Sequence, residues 1–131
     1  MNRRIATHAL VACVWGSVVA SLIGCGSGGG ADLKLNPEQA RQALTTFLET
    51  WSKGEPVTAL ASQKPAIVGR DPSWEGGDKL ARFKVGEEKS DGANLHVDVE
   101  LELESADKGK VTQKVTYVVG TSPVITVFRN E

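Results

Sequence analysis

The sequence has little of what reactive protein sites are usually built from: two histidines and two cysteines in 131 residues. It contains no G-x-S-x-G elbow, no C-x-x-C, no H-E-x-x-H and no phosphate-binding loop, so the local signatures of serine hydrolases, dithiol redox proteins, zinc peptidases and P-loop enzymes are missing. Aromatic residues make up only 5% of the chain, and its length suits one domain. Basic residues are not in excess, with 15 Lys and Arg against 16 Asp and Glu. That balance excludes the electrostatic footprint of a nucleic-acid binder. After Gly24 no apolar run approaches the ~20 residues needed to cross a bilayer.

What is present begins with an address. Arg3 and Arg4 give a positive start, and Ile5 to Gly24 is rich in Ala, Val, Leu and Ile without an acidic residue, the composition of an export signal. The arginine pair is also a faint feature of the twin-arginine route. Leu22-Ile23-Gly24-Cys25 follows, and behind it Gly26-Ser27-Gly28-Gly29-Gly30 has the composition of a flexible linker.

The four residues Leu22 to Cys25 resemble the lipobox of bacterial lipoproteins. The resemblance implies diacylglycerol on the Cys25 sulfur, cleavage between Gly24 and Cys25, and a membrane as partner through that lipid. Acyl burial at about 0.8 kcal/mol per CH₂ makes two or more chains a stable anchor. Gly26 in place of an Asp points to outer-membrane sorting where the cell has two membranes. The competing reading is a secreted protein cut after Ala20 with a free thiol. Residues 1–24 are thus expected to be a signal peptide, 25–35 the lipidated cysteine and tether, and 36–131 a single domain. Removal of the signal takes Cys13, Arg3 and Arg4 with it. The mature chain then has no partner for an internal disulfide, and its charge falls to −3, with 13 basic and 16 acidic side chains.

The domain is expected to be α+β. Asn36-Pro37-Glu38-Gln39 reads as a helix start, with Asn36 as cap, Pro37 at the first turn and Gln39 placed to reach back in a capping box. Ala40, Ala43, Leu44, Phe47, Leu48 and Trp51 form one apolar stripe, and Lys53-Gly54 a stop. The expected helix is Pro37 to Lys53. Pro56, Pro65 and Pro72 mark Glu55–Gly77 as a connector, containing a helical turn at Thr58–Ser62 and a short strand at Ala66–Val68.

From Asp78 the period becomes two. Ala81, Phe83 and Val85 alternate with charges, and Leu95, Val97, Val99, Leu101 and Leu103 alternate with His96, Asp98, Glu100, Glu102 and Glu104. Val111–Val119 returns after a turn at Asp107-Lys108-Gly109, and Val124–Phe128 closes the chain after Gly120-Thr121-Ser122-Pro123. Alternation of this kind implies one wet face and an antiparallel sheet, of four strands, or five with Ala66–Val68. A turn centred on Asp107 pairs residues whose numbers sum to 214, such as Glu104 with Lys110, Glu100 with Lys114 and Val97 with Tyr117.

A helix followed by an antiparallel meander resembles the cystatin-like architecture, and more loosely the nuclear-transport-factor-2-like (NTF2-like) fold. Cystatin protease inhibitors carry a Q-x-V-x-G loop. Gln113-Lys114-Val115-Thr116-Tyr117 lacks the glycine and lies in mid-strand, so inhibition does not follow from the resemblance.

No catalytic residue, no metal site and no cofactor are assigned, and enzymatic activity is not expected. The row Asp98, Glu100, Glu102 and Glu104 spaces its carboxylates about 7 Å apart, suiting a solvated, charge-paired face better than a calcium cage. Two loops are candidate binding surfaces, one with Arg70 and Trp74, the other with Thr121. Trp74 is more readily a core residue near Trp51. The leading expectation is a non-catalytic envelope domain that binds another envelope protein or a small ligand. The alternative is an NTF2-like pocket enzyme or catalytic accessory using Asp71 or Glu75 with His96, which requires a pocket where two titratable groups converge.

Overall fold

In the computed structural model, residues 34–131 are described; the signal-like segment, Cys25 and most of the tether lie outside them. Helix α1 spans Pro37–Ser52. Asn36 caps it, its side chain accepting from the Gln39 amide at 3.1 Å. The reciprocal half of the capping box does not form. The Asn36 amide instead donates to Thr121 Oγ1 at 2.9 Å, fastening the start of the helix to a distant loop. The apolar stripe is buried throughout. Lys53 and Gly54 end the helix, Gly54 with φ +78°, a conformation nearly free of cost only for glycine.

A 3₁₀ turn over Val57–Ser62 follows, where the helical turn is expected. Strand β1 (Ile67–Arg70) leads to a one-turn helix α2 (Pro72–Glu75), and then β2 (Lys79–Ser90), β3 (Asn94–Ser105), β4 (Gly109–Gly120) and β5 (Ile125–Asn130). The sheet order is β1-β5-β4-β3-β2. The β3–β4 hairpin has the sum-214 register along its length, from Asn94 opposite Gly120 to Ser105 opposite Gly109.

Two expectations need correction. The sheet is mixed, not purely antiparallel, because β1 pairs with β5 in parallel, Ile67 with Ile125 to Arg70 with Phe128. Four residues are too few for a periodicity that reveals direction. In β2 Leu80, 3% exposed, and not Ala81 is the inward residue at the start; Phe83, opposite Leu101 and packed on the core, and Val85, opposite Val99, keep the expected face, with Val85 46% exposed at the sheet edge. Register shifts between Leu80 and Arg82 and between Val85 and Glu88 reset which residues face inward, as bulges on edge strands do.

Helix α1 lies across the inner face of the sheet, so that Phe47, Leu48 and Trp51 pack with Val97, Leu101, Tyr117 and Val127 in one core. At β1 the approach is close. A Cβ built on Gly69 would stand 2.6 Å from Phe47 Cε2 and 3.0 Å from Leu60 Cδ1, and Phe47 is fully buried with nowhere to withdraw. Gly69→Ala is expected to cost about 1–3 kcal/mol by overpacking. A urea midpoint unchanged from the parent would contradict this packing.

Candidate functional site

The buried polar centre of the domain is Asp71. It precedes α2 as its cap, Oδ1 accepting from the Ser73 amide at 2.8 Å and the Trp74 amide at 3.3 Å. Its Oδ2 accepts from the Tyr117 hydroxyl at 2.5 Å, and Arg129 Nη1 stands 3.6 Å from Oδ1. Arg129 in turn donates to Ser73 Oγ at 3.1 Å and Gln113 Oε1 at 2.9 Å. Burial, and then the neighbouring Asp71 carboxylate, push the Tyr117 hydroxyl far above its ordinary range, so it remains a donor. Among the described residues no buried side-chain polar atom lacks a partner. This network holds α2 against β4 and β5.

The residues singled out from sequence fall in separate places. Trp74 is 7% exposed. It stacks on Trp51 with ring centroids 5.5 Å apart and an interplanar angle of 5°, and its Nε1 donates to the Glu55 carbonyl at 3.0 Å. The loop that carries it therefore presents Arg70 to solvent, paired with Glu75 at 3.1 Å, but not the tryptophan. Thr121 sits at the other end of α1, bonded to Asn36. A 16-residue helix puts roughly 24 Å between those ends, so the two candidate loops do not make one surface.

Asp71, Glu75 and His96 are likewise not brought together. Asp71 is buried under α2, Glu75 pairs with Arg70, and His96 lies on the opposite face, 2.8 Å from Asp91 Oδ2. The inner face of the sheet, where an NTF2-like pocket would open, is filled by α1.

The outer face is open. A shallow groove of about 420 Å³ runs between Lys84, Gly86, Asp98, Glu100, Lys114 and Thr116, with Lys84, Glu100 and Lys114 in register as neighbours on three strands. Thr116 donates to Asp98 at 2.8 Å. The acidic row is thus interleaved with cations and a hydroxyl. Among the described residues no three His, Cys, Asp or Glu side chains gather as metal ligands.

No protein-family model, curated protein or solved structure matches this chain. Its function is therefore read from its own residues.

The β2–β3 turn carries the clearest exposed electrostatic feature. A hydrogen bond from His96, and then the Asn94 and Ala93 amides, hold the Asp91 carboxyl down at about 2. A carboxyl lowered from its ordinary 3.8 adds stability above that value, and the gain is lost as pH falls toward 2. Asp91→Asn is expected to flatten acid unfolding in that window. A parent and variant with parallel acid-unfolding curves would show that the pairing adds nothing.

Proposed function

We propose that this chain is a lipid-anchored envelope protein whose domain, residues 36–131, is a non-catalytic binding or structural module. The observation that carries the reading is Leu22-Ile23-Gly24-Cys25 behind an export-like segment and ahead of a Gly-rich run. The geometry of the domain is compatible with it, since the segment that follows Cys25 enters the domain where Leu35 is buried and Asn36 caps α1. Among the described residues no helix is long and apolar enough to cross a membrane; the attachment in this reading is the lipid on Cys25. Gly26 supports the outer membrane as destination where there are two.

The antiparallel run β2 to β5 behind one long helix supports a cystatin-like architecture, to which the parallel β1 is an addition. The solvated outer face suits another envelope protein or a small ligand. Cys25→Ser is expected to move the protein from the membrane pellet to the soluble fraction and to abolish an acyl mass on the N-terminal peptide. A parent protein recovered soluble, with Cys25 unmodified, would overturn the reading.

A further inference from the structure

The end of the domain that receives the N-terminal segment also carries exposed apolar side chains. Val68 is 52% exposed, Val124 55% and Phe128 38%. The two-residue repeat of β5 puts Thr126 and Phe128 on one face, and Val124 is exposed in the bend just before the strand. Val68 stands opposite Thr126 on the neighbouring strand, and the half-buried Val118 opposite Phe128. These side chains form a corner of the outer face, on the side of the sheet that α1 does not cover.

The chain joins the domain at the same end of the sheet, between the β2–β3 turn and the β4–β5 loop. The Leu35 amide donates to the Gly92 carbonyl at 3.5 Å, and the Asn36 amide to Thr121. Thr121 is three residues before Val124, a reach of about 10 Å at most. Cys25 is ten residues from Leu35, a span of at most roughly 35 Å.

We propose that Val68, Val124 and Phe128 form a membrane-docking corner that seats on the surface of the bilayer holding the Cys25 lipid. The inference rests on the lipid-anchor reading given above. Three part-exposed side chains cannot supply the about 800 Å² per partner of a stable dimer, which argues against a second copy as occupant. They suffice for a lipid surface because a ten-residue tether makes the contact intramolecular, at an effective concentration in the millimolar range. Lys34 and Lys64 are exposed near this end and suit anionic headgroups; of the acids there, Glu38 and Glu88 pair with Arg41 and Asp91 with His96, and Glu87 is exposed on β2, at the opposite edge of the sheet from β1. Docking there would turn the opposite end, with the β3–β4 turn, away from the membrane. The 12 residues of β3 separate the two ends by about 40 Å.

The test uses the full lipidated chain in vesicles of phosphatidylethanolamine and phosphatidylglycerol containing a headgroup-quencher lipid. A fluorophore is placed through Val124→Cys or, at the far end, Lys108→Cys, and intact mass verifies acylated Cys25 in each sample. Quenching is expected to be at least threefold stronger at position 124 than at 108. Val68→Asp with Phe128→Asp should remove most of that difference while leaving the protein in the membrane fraction and its circular dichroism unchanged. Equal quenching at both positions with Cys25 acylated would overturn the docking and leave the anchor standing. An unmodified Cys25 would overturn the anchor itself, and the docking with it. A disulfide forming between Val124→Cys copies on the vesicles would assign the corner to a second copy and also overturn the proposal.

Discussion

Asp71→Ala is expected to destabilise the domain by about 3–5 kcal/mol, the cost of breaking a buried, charge-paired network from one side. Asp71 has no exposed surface, and its loss acts in three places at once. Helix α2 loses its cap at the Ser73 and Trp74 amides, the Tyr117 hydroxyl is left in the core without its acceptor, and Arg129 keeps a largely buried guanidinium without the nearby carboxylate. At 4–8 °C per kcal/mol for a domain of this size, a midpoint loss of roughly 20 °C is expected. Tyr117→Phe removes only one donor and should cost less, about 1–3 kcal/mol. It carries a second signature. Because the folded-state value for Tyr117 is raised, stability is intact below the ordinary phenol value of about 10 and is lost as pH rises beyond it. The phenylalanine variant should lose that part of the alkaline decline. An Asp71→Ala protein melting with the parent would show that the network does not hold the fold.

Trp74→Ala is expected to cost about 3–5 kcal/mol as well, by a different physical route. Its ring fills the space between Trp51, stacked at 5.5 Å, and Phe47, edge-on at 5.1 Å, and truncation leaves a cavity bordered by rigid rings that cannot collapse into it. The Glu55 carbonyl also loses the indole N–H. The same substitution separates the two roles considered for this residue. A recognition residue on a loop would lose binding with little change in the urea midpoint; a core residue would lose the midpoint. A variant as stable as the parent would refute the packing described for Trp74.

Much of the architecture was legible because two periods are written plainly in the chain. The stripe from Ala40 to Trp51 marks the buried face of α1, and the alternation from Leu95 to Leu103, read against Val111 to Val119, fixes the hairpin register, since a slip of one residue would bury Glu100. Strand β2 was legible in the facing of Phe83 and Val85 but not at its start, where Leu80 and not Ala81 turns inward. Its bulges at Ala81 and at Gly86-Glu87 break the period, and bulges respond to neighbours that a local pattern does not contain. The direction of β1 was hidden for a related reason: Val68 and Arg70 look outward whether the strand pairs in parallel or antiparallel.

The candidate site was less legible. The Asp71 centre draws on α2, β4 and β5, with Asp71 and Tyr117 separated by 46 positions. Asp71-Pro72-Ser73 signals a helix cap, but nothing near it in sequence names Tyr117 or Arg129 as partners. The docking corner is similar, joining Val68 to Val124 only because β1 lies beside β5.

By itself, then, the chain determined the lipobox-like tetrapeptide, the helix with its buried stripe and the face each residue of β3 and β4 presents, because those properties depend on neighbours within a few positions or on a fixed repeat. Tertiary structure alone decided that Trp74 turns inward, that Thr121 serves the cap of α1 and that Asp71 meets Tyr117 and Arg129. Such contacts are set by which strands lie side by side, and that order depends on closing loops of dozens of residues around a shared core.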